Sequence, residues 1–272
     1  MTPWKGNILL AAQKLDALLA QPACQLGVFV PAGLHPQTAE QRHLDCLAQA
    51  GADLLEIGFP HHAPFLDGPV IQSAYRRALR HGHVLDRTVR AVEHAARLRP
   101  TVVVAYWDSV SRHGPEHVTG LFADAGAAGV MVVDLPAHMA AHWHQAASRA
   151  GLVTPSLVPR HTTNSGLPTA VAGASGWLYA PASTALTGHQ GAVDIPSLAD
   201  FTQRLRQATS VPVVSGVGIS TPALAARIAP LVNAVIIGTP VVRALLTNPG
   251  QAPAVAASFA QALRPTFREH RV

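Results

Sequence analysis

Lysine is nearly absent from this chain, because only Lys5 and Lys14 occur among its 272 residues. Both lie in a predicted helix at the N-terminus. Enzymes that cleave carbon–carbon bonds through a Schiff base need a lysine in the active site. The sequence therefore excludes that mechanism for the rest of the chain.

Cysteine is also scarce, because only Cys24 and Cys46 occur and they form no CxxC pair. This spacing indicates neither a disulfide framework nor a cysteine zinc site. The apolar run at residues 8–12 is too short for the core of a secretory signal. No apolar run reaches transmembrane length without a charge, Pro or Gly. We therefore expect a cytoplasmic protein that does not bind membranes.

Charged residues make up only 13% of the chain and leave a formal net charge of +5. A positive balance favours an anionic ligand. The three Tyr and four Trp residues are scattered, without the interleaved basic residues that are typical of nucleic-acid binding. The densest basic run, from Arg76 to Arg80, is typical of a solvated helix face. The composition predicts a small phosphorylated substrate and no nucleic acid.

Apolar residues make up 49% of the chain, and no linker or low-complexity segment divides it. A chain of this length can bury one large core, and α/β barrels commonly reach it as one unit. We expect residues 1–272 to form a single domain.

Apolar runs typical of buried strands alternate with helical patterns along the chain. Eight such runs occur, at residues 26–33, 54–59, 101–108, 129–136, 153–159, 176–181, 211–218 and 233–238. Helical patterns follow an N-terminal helix near residues 6–20 and occupy residues 39–51, 70–82, 87–98, 116–125, 138–150, 167–172, 197–208 and 222–229. This alternation predicts an α/β fold, a (β/α)8 TIM barrel with an extra N-terminal helix. The alternative is an open doubly wound sheet, but no G-x-G-x-x-G follows the first strand.

Polar residues and glycines stand where the predicted strands end. They are Glu56, Tyr106, Asp108, Asp134, Tyr179, Gly216 and Gly218. In a barrel the carboxyl ends of the strands form the mouth that carries the active site. These residues are therefore predicted to share one rim, with ordinary strand termination as the alternative for Asp108 and Asp134.

Two acids, Glu56 and Asp67, are predicted to converge at the end of the second strand. Glu56 ends an apolar run, and Asp67 lies in the Pro- and Gly-bounded loop that follows. Paired acids in different environments indicate proton-transfer chemistry. The alternative is that Glu56 pairs with an arginine and Asp67 caps the helix that begins near Gly68-Pro69.

Glycine loops after the last three strands predict a phosphate site. Thr187-Gly188 follows strand six, Ser215 to Ser220 follows strand seven, and Ile237-Gly238-Thr239 follows strand eight. Glycine allows backbone N–H groups to approach phosphate oxygens, and a helix that begins nearby adds its positive end. The candidate residues are Thr187, Gly188, Gly216, Gly218, Gly238 and Thr239.

Fifteen histidines keep a metal-dependent aldolase open as an alternative. His61-His62 lies beside the candidate site, and His138 and His142 have helical i, i+4 spacing. No third ligand for His61-His62 is evident in the sequence. We expect no metal and no cofactor.

Two motifs around the paired acids resemble the signature of the tryptophan synthase alpha subunit family. They are Leu55-Glu56-Ile57-Gly58 and Asp67-Gly68-Pro69-Val70-Ile71-Gln72, and further matches run from Phe29-Val30-Pro31 to Ile236-Ile237-Gly238. The resemblance implies a lyase that converts indole-3-glycerol phosphate to indole and glyceraldehyde 3-phosphate. Protonated at C3, the indole ring itself accepts the electrons of the broken bond.

The resemblance also implies a role for each site residue. Glu56 matches the general acid/base that protonates C3, and Asp67 matches an ionised acid that binds the indole N–H. Tyr179 matches an active-site tyrosine, and Tyr106 matches one that lines the indole pocket. The remaining apolar wall is expected from Val104, Met131, Val133 and Val217.

The sequence departs from the family at three places. The lid after strand six, residues 182–188, lacks the usual arginine. Ala63 replaces an Asp and Asp108 replaces an Asn, at positions that face the beta subunit in the two-subunit enzyme. These changes leave open a stand-alone lyase with a weakened beta-subunit partnership, and an inactive protein that only regulates a partner.

Overall fold

The computed structural model describes residues 3–188 and 191–264. Its core is one eight-stranded parallel sheet in the order β4-β3-β2-β1-β8-β7-β6-β5. The strands are β1 (Gln25–Pro31), β2 (Leu54–Gly58), β3 (Thr101–Ala105), β4 (Gly129–Val132), β5 (Ser156–Leu157), β6 (Leu178–Tyr179), β7 (Val213–Ser215) and β8 (Ala234–Ile237). A parallel bridge between Gly129 and Val153 joins the two ends of this order, so the sheet closes into a barrel.

Twelve α-helices surround the strands in the described part of the chain. They are α1 (Pro3–Leu19), α2 (Gln37–Gln49), α3 (Pro69–Leu79), α4 (Val84–Leu98), α5 (Trp107–His113), α6 (Pro115–Asp124), α7 (Ala140–Arg149), α8 (Leu167–Val171), α9 (Ile195–Ala208), α10 (Pro222–Ile228), α11 (Thr239–Thr247) and α12 (Ala252–Leu263). The (β/α)8 barrel with an extra N-terminal helix is confirmed. Sequence patterns missed α5, α11 and α12.

The strands form because short β-branched runs are buried on both faces. All five residues of β3, from Thr101 to Ala105, are buried. Barrel strands contact side chains in the interior and helices outside, so they read as continuous apolar runs. Helix α4 shows the matching pattern, since it buries only the stripe of Thr88, Ala91, Val92 and Ala95.

The strands end earlier than their apolar runs predict. Strand β3 stops at Ala105, and Trp107 already begins α5. Asp108 is therefore a helical residue, and the prediction that it ends strand three is wrong. Asp134 likewise lies beyond β4, which ends at Val132. Hydrophobicity does not mark these ends, because the apolar residues after the strands remain wholly or partly buried.

Among the residues described here, no helix is both long enough and apolar enough to cross a membrane.

Candidate active site

A cavity of about 340 Å³ lies at the carboxyl ends of the strands. Every residue predicted for the site lines it: Glu56, Asp67, Val104, Tyr106, Met131, Val133, Tyr179, Thr187, Gly188, Gly216, Val217, Gly218, Gly238 and Thr239. These residues come from six strands or the loops after them, and only barrel closure brings them together. Their individual roles stay predictions.

Glu56 stands out within β2 because its neighbours in the strand are apolar. Its side chain is only 3% exposed. Within the described residues its Oε1 atom has no hydrogen-bond partner and no arginine pairs with it, so the ion-pair alternative finds no support. Burial penalises the charged carboxylate and raises the pKa of Glu56 to about 8. Glu56 therefore carries a proton at neutral pH.

Asp67 is held by two hydroxyl groups. Tyr106 donates to Asp67 Oδ2 at 2.8 Å, and Thr187 donates to Asp67 Oδ1 at 3.3 Å. Burial raises the pKa of Asp67 to about 6, although the hydrogen bonds from Tyr106 and Thr187 act to lower it. Asp67 is therefore mostly ionised at pH 7. Helix α3 has Gly68 as its N-cap and no side-chain cap, so the helix-capping alternative for Asp67 is wrong.

The loop after β6 closes onto the loop that carries Asp67. The N–H of Gly68 donates to Thr187 Oγ1 at 2.8 Å. A Cβ atom at Gly68 would lie 1.8 Å from the carbonyl oxygen of Thr187, so only glycine permits this approach. The segment predicted to be a lid thus contacts the loop that carries Asp67 without the family's arginine. Residues 189–190, which continue it, lie outside the described residues.

Another part of the cavity wall is built from the glycine loops. Gly188, Gly216, Gly218 and Gly238 line it, and α11 begins there at Thr239. Backbone N–H groups at a helix N-terminus attract anions. Ser220 and Arg243 also line this cavity, and Arg243 is the one Lys, Arg or His among its described lining residues. Sequence analysis did not identify Arg243, because it did not predict α11. The available indication was that Arg243 lies four residues after Thr239, which places both residues on one face of a helix.

The apolar wall contains more residues than predicted. Tyr179 is buried, and Gly216 makes room for it, since a Cβ atom there would lie 1.8 Å from the Tyr179 hydroxyl oxygen. The lining residues that sequence reasoning missed on this wall are Phe29, Leu66, Ile71, Tyr75, Leu157, Ile219 and Ile236. Their apolar character was visible, but a strand that is buried on both faces does not reveal which residues point inward.

The remaining polar residues of the rim serve local structure. Asp108 pairs with Arg112 at 2.9 Å, and Asp134 accepts a hydrogen bond from the N–H of Trp107 at 2.6 Å. Neither Asp108 nor Asp134 is among the described residues that line the cavity.

The histidines considered as metal ligands are engaged elsewhere. His61 Nδ1 lies 3.0 Å from Ser109 Oγ. His142 lies 3.5 Å from a carboxylate oxygen of Glu116, and His138 is in the short turn Ala137–Met139. Over residues 3–188 and 191–264, no group of three or more His, Cys, Asp or Glu residues has the arrangement of a metal site.

Comparison with known proteins agrees with this geometry. A family profile described as "Tryptophan synthase alpha chain" matches residues 16–269. The tryptophan synthase alpha chain of Streptomyces coelicolor is 35% identical over 268 residues, which is 95% of this chain and 98% of that relative. The alpha chain of Geobacter sulfurreducens is 34% identical and covers 80% of this chain and 83% of its own length.

Solved structures show the same relationship. A structure of tryptophan synthase from Mycobacterium tuberculosis has a TM-score of 0.84 and 28% identity, covering 94% of this chain and 97% of that one. Tryptophan synthase subunit alpha from Legionella pneumophila has a TM-score of 0.82 and 26% identity, covering 93% and 98%. The matched profile and the full-length relatives show that this chain belongs to the tryptophan synthase alpha chain family.

Proposed function

We propose that this chain is a carbon–carbon lyase that cleaves indole-3-glycerol phosphate to indole and glyceraldehyde 3-phosphate by retro-aldol chemistry. The observation that carries the proposal is one cavity lined by two acids in different environments, the buried Glu56 and the half-buried Asp67. The same cavity has an apolar wall for an indole ring and a glycine-lined end for a phosphate. Membership of the alpha chain family supports the same reaction.

Glu56 is proposed as the general acid and then the general base. Protonated at neutral pH, it delivers its proton to indole C3, and the ring becomes a cationic indolenine. The resulting carboxylate then accepts the proton of the side-chain hydroxyl as the carbon–carbon bond breaks and the aldehyde forms. The electrons of that bond restore the neutral aromatic indole. No metal or cofactor is needed as an electron sink.

Asp67 is proposed to stabilise the charge on the indole nitrogen. An ionised carboxylate accepts a hydrogen bond from the ring N–H, and the bond strengthens as positive charge develops there. Tyr106 and Thr187 fix both carboxylate oxygens of Asp67. Tyr179, which is buried beside Gly216, is proposed as a further catalytic residue in the wall of the cavity. Val104, Met131, Val133 and Val217 are proposed to hold the ring.

The direct test is indole release by the purified chain from indole-3-glycerol phosphate. We expect measurable turnover by the chain alone, because both acids and the phosphate end are assembled within one chain. Absence of turnover both alone and with a beta subunit would reject the lyase proposal and favour a regulatory protein.

Two additions to the same assay separate the alternatives. We expect activity to survive a chelator, whereas loss on chelation and recovery with zinc would support a metal-dependent aldolase. We also propose a tryptophan synthase beta subunit as the partner, with only small stimulation of cleavage. Ala63 and Asp108, at the partner-facing positions of the family, are exposed here. Ala63 lacks the carboxyl group of the family's Asp, and Asp108 has a carboxylate, paired with Arg112, in place of the amide of the family's Asn. Strong stimulation would show that these changes are compensated.

Arg243 is expected to bind the phosphate of the substrate. Arg243→Met keeps most of the side chain but removes the charge. We expect KM to rise by about tenfold, which is the effect of losing one charge-assisted hydrogen bond. We expect kcat to change little. Kinetics at low ionic strength measure this. Arg227→Met, which removes an exposed arginine from α10 outside the cavity, is the matched control. If Arg243→Met and the control have equal KM values, Arg243 does not bind the phosphate.

We further propose that residues 1–272 form one domain, because all eight strands belong to one sheet. The cytoplasm is the proposed location. Both Cys24 and Cys46 are free thiols, which a reducing compartment preserves.

A further inference from the structure

Tyr106 contacts Asp67 through its hydroxyl group and His61 through the face of its ring. Its hydroxyl donates to Asp67 Oδ2 at 2.8 Å and accepts from the N–H of Leu66 at 3.2 Å. The face of its ring stacks on the imidazole of His61, with centroids 4.9 Å apart and planes 17° apart. The orientation of the Tyr106 ring therefore decides where its hydroxyl meets Asp67.

His61 is itself held by a hydrogen bond from the start of α5. Its Nδ1 atom lies 3.0 Å from Ser109 Oγ, and the pair is buried. The carboxylate of Asp108 lies 3.9 Å from the same nitrogen. His61 also lines a second cavity of about 150 Å³, so packing does not fill the space around this residue completely. The contact with Ser109 therefore helps to hold the imidazole against Tyr106.

The contact joins two segments of the barrel rim. His61 follows β2, whereas Asp108 and Ser109 belong to α5. The loop after β2 therefore makes a polar contact with α5.

We propose that His61 is a positioning residue for the lyase reaction, which holds Tyr106 by ring stacking so that the Tyr106 hydroxyl orients Asp67. His61 does not line the cavity of the reacting groups, so it acts through Tyr106. The inference rests on the proposed function, since it assigns His61 to the same site. It adds a path of contacts from Ser109 on α5 through His61 and Tyr106 to Asp67.

Burial is the largest influence on the pKa of His61 and favours the neutral imidazole. Burial lowers the pKa of His61, Asp108 and Asp134 raise it, and His62 and Arg112 lower it. A neutral imidazole stacks on a phenol without bringing a charge near the site. The tyrosines that interact with Asp67, which are Tyr75, Tyr106 and Tyr179, have pKa values raised by burial and do not titrate near neutral pH.

The experiment measures the pKa of Asp67 directly, by ¹³C NMR of labelled aspartate carboxyls, with Asp67→Asn identifying the resonance. The Tyr106 hydrogen bond lowers the pKa of Asp67. Weakening it should therefore raise that pKa. We expect His61→Leu to raise it in the same direction as Tyr106→Phe, and His61→Phe, which keeps a stacking ring but loses the hydrogen bond to Ser109, to raise it by less. This readout is independent of lyase turnover, so it stands even if the proposed function fails.

Kinetics provide the second readout. We expect kcat of His61→Leu at pH 7 to fall by about tenfold, as for loss of one hydrogen bond to a carboxylate, and His61→Phe to recover part of it. In a Tyr106→Phe background His61→Leu should cause little further loss, because the two changes act on one interaction. His62→Ala, which removes the exposed neighbouring imidazole, is the matched control.

An unchanged Asp67 pKa in His61→Leu would overturn the proposal. So would an equal loss of kcat from His61→Leu in the wild-type and Tyr106→Phe backgrounds, because His61 would then act by general loosening of the loop. If His61→Leu does not fold, Ser109→Ala carries the test, since it removes the tether and leaves both rings. The same rise in the Asp67 pKa is expected there, and no change would also overturn the proposal.

Discussion

Replacing Glu56 with Gln is expected to lower the rate of indole release by about 10²–10⁴-fold, the usual contribution of a positioned general acid/base. Gln has nearly the shape of Glu but has no acidic proton for indole C3. Steady-state kinetics on indole-3-glycerol phosphate measure the loss. Asp200→Asn, which removes an exposed carboxylate from α9, is the control and should retain activity.

The stability of Glu56→Gln shows whether lost activity comes from lost catalysis or from unfolding. The pKa of Glu56 is about 8 in the folded protein against an ordinary 4.5, so the folded state binds the additional proton between these values. Its contribution to wild-type stability is full below about pH 4.5 and is lost as the pH rises through 8. As the pH rises from 5 to 8, the free energy of unfolding of wild type should therefore fall relative to that of the variant. Urea unfolding at both values measures this, and a pH-independent difference, or turnover near the wild-type rate, would contradict the assignment.

Asp67→Asn is expected to lower kcat by about 10²–10³-fold, the scale for removing one preorganised electrostatic group. The amide keeps the size of the side chain but lacks the negative charge that stabilises the indole nitrogen. Wild-type activity should fall as the pH drops through about 6, where Asp67 becomes protonated. The variant should lack this acid limb in a profile of kcat/KM against pH.

The alkaline limb of that profile belongs to the other acid. Activity should fall above about pH 8 in both wild type and Asp67→Asn, because Glu56 loses its proton there. An acid limb that persists in Asp67→Asn would assign it to another group. Turnover of Asp67→Asn close to that of wild type would remove Asp67 from the mechanism.

Sequence patterns were sufficient for the architecture and for naming two candidate acids that line one cavity. Strand and helix periodicities are local, so eight alternations of apolar runs and helical patterns are readable without knowledge of distant contacts. Their ends are less readable, as β3 shows, because Tyr106 and Trp107 continue the apolar run after the strand has stopped.

The sequence by itself determined the barrel, the absence of a Schiff-base lysine and the candidate acids, since each depends on residue identity and short-range spacing. Only the tertiary structure decided the state of those acids. Glu56 is protonated because the surrounding residues exclude water and offer its Oε1 no partner in the described chain. Asp67 stays ionised at pH 7 because Tyr106 and Thr187, 39 and 120 residues away, donate to it. A pKa depends on what barrel closure places around a carboxyl group, and no local pattern carries that information.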